Sequence, residues 1–98
     1  MDIKQMITLL ELAWYGMFNP ELPREPNVER GAHAIAALAS EMESLVDSRP
    51  EQHRQYCRAA LAEVRDLAER CFKDPAGANN TLDAQQTIHK VSLAFSMA

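Results

Sequence analysis

Apolar residues recur at spacings of three and four in four separate stretches of this chain, and each stretch opens on a residue able to cap a helix. The first, 2–18, carries Ile3, Met6, Ile7, Leu10, Trp14 and Met17 on one stripe. Leu9, Leu12, Tyr15 and Phe18 widen that stripe beyond what one buried face requires. Asp2, with Gln5 three residues later, has the form of a capping box. Asn19 precedes Pro20, and a residue before proline avoids the helical region, so the helix is expected to stop near Phe18. The tract NPELPREPN places three prolines within seven residues and reads as a stiff, extended connector.

Asn27 then reads as the cap of a second helix, 27–47, with a seam of Val28, Gly31, Ile35, Leu38, Met42 and Leu45 flanked by alanines. Ser48 and Glu51 suggest a second capping box opening a third helix, 49–73. Its seam is Cys57, Ala60, Val64, Leu67 and Cys71, widened by Leu61, Ala68 and Phe72. So short a connection predicts an antiparallel hairpin of helices 2 and 3. Charge agrees with it. Glu41, Glu43 and Asp47 have the wrong sign for the C-terminal dipole of helix 2, and the hairpin would bring Arg54 and Arg58 opposite them. Thr81 caps a last helix, 82–97, with Ala84, Ile88, Val91 and Phe95 on one face and Leu82, Leu93 and Met97 on another. The pattern predicts an all-α fold: one domain over 1–98, a small four-helix bundle with a central antiparallel hairpin and a Pro-rich connector after helix 1.

Composition narrows the function classes. With 98 residues, 47% hydrophobic and 24% charged, the chain has the makeup of a folded domain rather than a disordered one. A formal net charge of -4 argues against a nucleic-acid duplex as partner. The N-terminal apolar run has no basic lead segment or small-residue cleavage site, and Glu11 interrupts it, so no signal peptide is expected. No stretch reaches about 18 uncharged apolar residues, so no membrane span is expected. A cytoplasmic protein is the default.

Candidate chemistry is sparse. Cys57 and Cys71 lie fourteen residues apart on one helix, hence roughly 21 Å apart, too far for a disulfide. Both fall in the seam, where burial raises a thiol's pKa and silences it. His53 and Cys57 are four apart, half of a zinc set at best. Glu29 and His33 read as a helix-surface pair. With no glycine-rich phosphate loop or nucleophile elbow, no enzyme activity, metal or cofactor is expected.

What remains is the surplus of apolar surface on helices 1 and 4, and large exposed apolar patches mark interfaces. The expected function is a non-enzymatic protein-interaction module, in the manner of small bacterial or phage regulators and inhibitors, forming a homodimer or binding another protein. Its contacts are assigned to Leu12, Trp14, Tyr15, Met17 and Phe18 of helix 1 and Leu93 and Met97 of helix 4. Trp14 is equally well placed to be a core residue. The alternative is a small DNA-associated transcriptional regulator using Arg54, Arg58 and Arg65 of helix 3, with Glu51, Glu63, Asp66 and Glu69 interleaved against it.

Overall fold

The computed structural model describes residues 2–96. Four helices follow in order: α1 (Ile3–Gly16), α2 (Arg24–Glu43), α3 (Glu51–Lys73) and α4 (Leu82–Ser96). No strand occurs among the described residues. α2 and α3 form the central hairpin, α1 packs on α2, α4 packs on α3, and a narrower α1–α4 contact closes the bundle. The result is elongated, 42 × 22 × 19 Å.

The capping box at α1 forms as the sequence implies: Asp2 Oδ1 accepts from the Gln5 amide at 2.8 Å, and Gln5 Oε1 accepts from the Asp2 amide at 3.0 Å. Thr81 likewise caps α4, its Oγ1 accepting from the Ala84 amide at 3.2 Å. Two expected caps are corrected. Asn27 does not cap α2, because the helix starts three residues earlier at Arg24 and holds Pro26 in its first turn. A first-turn amide needs no intrahelical acceptor, so proline fits there without loss. Half of the expected extended connector is therefore helix, and the rest is compact. Asn19 Oδ1 accepts from the Glu21 amide at 3.0 Å and folds the chain into a turn. Ser48 does not cap α3 either. α2 ends at Glu43, a 3-10 turn spans Val46–Ser48, and the Ser48 hydroxyl donates to the Leu45 carbonyl. Pro50 precedes α3 without a side-chain cap.

The core runs the length of the hairpin. On α3 the expected seam is buried, with Leu61 and Ala68 beside it. On α2 Val28, Ile35 and Met42 are buried as expected, but the positions alternating with them shift by one: Ala32, Ala39 and, just past the helix, Val46 are buried, while Gly31, Leu38 and Leu45 sit at the edge. Small residues face inward here, so α1 and α3 come close to the α2 backbone. At Gly31 the approach is close enough that an added Cβ would lie 2.9 Å from Met17 Cβ. Phe72 does not widen the α3 seam; it lies at the surface, edge-on to His33 of α2 with ring centroids 4.6 Å apart.

Polar contacts fix how the helices meet. Asn27, buried between α1 and α2, donates from Nδ2 to the Gly16 carbonyl at 2.7 Å and so satisfies an acceptor at the open end of α1. Trp14 Nε1 donates to Asn80 Oδ1 at 3.0 Å, tying α1 to the loop before α4. Gln85 donates to the same oxygen at 3.0 Å.

Candidate interaction surface

α1 presents two faces of different character. The inner face, Met6, Leu10, Trp14 and Met17, is buried against α2 and α4. Trp14 and Met17, expected at a partner interface, are thereby corrected to core residues. They stand four and seven positions after Leu10, on the same side of the helix, and the fold consumes them. Phe18 is half-buried, its ring packed edge-on to Trp14 with centroids 5.0 Å apart. It braces the core from the rim.

The outer face keeps the rest. Leu12 is 63% exposed and Tyr15 52%, and Leu9, which the expected set left out, joins them at 40%. They follow at intervals of three along the solvent side of α1, and Gln5 and Thr8 continue that face toward the helix start. The charged side chains of this helix, Lys4 and Glu11, lie along one edge of the strip, and neither enters any of the ion pairs among the described residues.

A second apolar area lies between α3 and α4. Leu93, in the expected set, is 53% exposed, and Tyr56 of α3, which the sequence reading did not select, is 60% exposed on the same shallow groove. Ala59, Ala60 and Ala94 form its floor, and Lys90 bridges to Glu63 at 3.3 Å beside it. The signal for Tyr56 was present: positions 56, 59, 60 and 63 share a face of α3, and two alanines there leave a depression next to an aromatic ring. Met97 lies outside the described residues.

The arginines of α3 have partners within the chain. Arg58 pairs with Asp47 at 3.2 Å and Arg65 pairs with Glu43. Arg54 donates to the Asp47 carbonyl at 2.9 Å and the Arg49 carbonyl at 3.0 Å. These are the contacts by which α3 offsets the acidic, dipole-mismatched end of α2. On the outer side of α3, Asp66 with Arg70 and Glu69 with Lys73 form pairs four residues apart, at 3.2 and 3.0 Å.

Both cysteines are free and buried. Burial pushes the Cys57 thiol up, against a smaller opposing pull from Arg49 and Arg58, and Cys57 Sγ lies 3.5 Å from the Ala94 carbonyl oxygen as a weak donor. Cys71 is raised for the same reason, opposed by Arg70. Such thiols are poor nucleophiles and poor metal ligands. Among the described residues no three His, Cys, Asp or Glu side chains converge to hold a metal ion. No helix among them is long and apolar enough to cross a membrane. No protein-family model, no curated protein and no solved structure matches the chain, so its functional reading rests on these surfaces.

Proposed function

We propose that the chain is a non-enzymatic protein-interaction module, a small regulator or inhibitor that acts by covering a partner's surface and also self-associates. One observation carries this. The inner face of α1 is complete with Met6, Leu10, Trp14 and Met17, yet the same helix holds Leu9, Leu12 and Tyr15 in water. Tyrosine is among the residue types that contribute most at protein interfaces, because the ring brings large contact area at low entropic cost, and the leucines beside it add apolar area to be covered. Leu93 and Tyr56 offer a smaller contact on the far side of the bundle.

The nucleic-acid reading has less to support it, since Arg54, Arg58 and Arg65 already answer to carboxylates and carbonyls of the hairpin. The test is a Leu12→Asp, Tyr15→Ser double variant, which changes only solvent-facing positions and should keep its helical circular dichroism. The expected result is loss of both self-association in sedimentation and specific retention of host proteins. A folded variant that sediments and retains proteins as the wild type does removes α1 as the interface.

A further inference from the structure

We propose that the outer face of α1 pairs with the same face of a second copy, antiparallel, about a twofold axis passing near Thr8. This deepens the reading of α1 as an interface and rests on it. The charges on the strip select both the occupant and the direction. Lys4 and Glu11 are seven residues apart, two helical turns, so they stand on the same edge of the outer face with roughly 10 Å between them. They are opposite in sign, and the ion pairs of the described residues engage neither.

In an antiparallel helix pair, residues on the same edge of the two helices meet across the seam. Lys4 of one copy then comes beside Glu11 of the other, and the twofold axis repeats the contact. A parallel pair would instead set Glu11 against the uncharged edge formed by Leu9 and Gly16. Between the two charge pairs the seam is Leu12 layered on Gln5, and Leu9 on Thr8, with Tyr15 closing each end over the partner's helix start. A twofold arrangement of this kind is self-complementary and closes, so it yields dimers rather than fibres. A helix of this length presents an area at the small end of specific interfaces, so the dimer exchanges readily and assembles in the micromolar range or above.

Reciprocal charge reversal, read by sedimentation equilibrium, tests the pairing. Lys4→Glu and Glu11→Lys should each weaken dimerisation about tenfold, through two symmetric like-charge contacts, and the double reversal should return it to within about twofold of wild type. Lys4→Glu puts an acid in the first turn, where the helix dipole favours it, so the fold is expected to persist. Direction is read by oxidation: Thr8→Cys near the axis should form a covalent dimer, while Gln5→Cys, placed opposite Leu12, should not. Single reversals without effect, a double reversal weaker than either single, or equal cross-linking of the two cysteine variants would overturn the proposal. So would a wild type that stays monomeric at high concentration. That last outcome leaves the broader interface reading to its own test, retention of a different protein through Leu12 and Tyr15.

Discussion

Replacing Gly31 with alanine should destabilise this protein although it adds a better helix former. The new Cβ would lie 2.7 Å from Met17 Cε, 2.9 Å from Met17 Cβ and 3.1 Å from the Ala13 carbonyl oxygen. The Met17 methyl can swing aside; its Cβ and the Ala13 carbonyl belong to the frame of α1 and cannot. Carbon atoms rest about 3.5–4.0 Å apart, so α1 must retreat from α2 by several tenths of an ångström along its last turn. Overpacking of this kind costs about 1–3 kcal/mol. Alanine in place of glycine returns about 0.5–1 kcal/mol of helix propensity. The net loss is on the order of 1 kcal/mol, a fall in Tm of about 4–8 °C for a chain of this size. Gly16→Ala is the matched control, because nothing lies within 4 Å of the Cβ it would add. It should raise stability by about 0.5 kcal/mol. Urea unfolding followed by circular dichroism measures both. A Gly31→Ala protein as stable as wild type, or two variants that shift in the same direction, would show that α1 and α2 do not meet as closely as described.

Other perturbations bear on separate parts of the bundle. Asn27→Ala leaves the Gly16 carbonyl without its buried donor and should cost about 1–2 kcal/mol, most visibly as faster amide exchange at the end of α1. Asp2→Ala removes the capping box and should cost about 1 kcal/mol, with fraying confined to the first turn in exchange measurements. The thiols give a pH dependence. Their pKa values are raised on folding from the ordinary 9.0, so the folded state holds its protons more tightly, and the thiols' contribution to stability should be constant below pH 9.0 and fall as pH rises beyond it. A Cys57→Ala, Cys71→Ala variant should show a flatter alkaline limb in pH-dependent unfolding. In the wild type, iodoacetamide should label the thiols no faster than the protein opens, and rapid labelling under native conditions would contradict their burial.

Much of this fold was legible in the sequence because helix period and caps are local. The Asp2 and Gln5 box, the Thr81 cap and the α3 seam follow from residues of one helix, the arginines facing the acidic end of α2 follow from the short connection that forces a hairpin, and the structure shows each of them. What was not legible was decided by competition between local alternatives or by neighbours on another helix. Pro26 looks like a connector residue until Pro23 and Arg24 are seen to start the helix before it. The Ser48 box competes with a 3-10 turn that binds the same hydroxyl to Leu45. The candidate surface divides in the same way. Leu12 and Tyr15 were separable from the core by phase, whereas Trp14 and Met17 entered the expected interface on residue type, although their spacing from Leu10 already assigned them inward. Tyr56 was missed because its importance comes from alanines beside it and from Leu93 on another helix.

The bond from Trp14 to Asn80 has a use in the laboratory that its structural role does not suggest. It joins residues 66 apart in the sequence, and its donor belongs to the only tryptophan in the chain. Contacts within the hairpin are made over short loops, while this one closes the molecule end to end and carries the larger loop entropy. The indole is therefore a native optical gauge of the slowest kind of contact the bundle has to make. A chain with its helices formed but its ends still apart would give full far-ultraviolet ellipticity and the red-shifted emission of a wet tryptophan. The two signals together separate secondary structure from closure without any label.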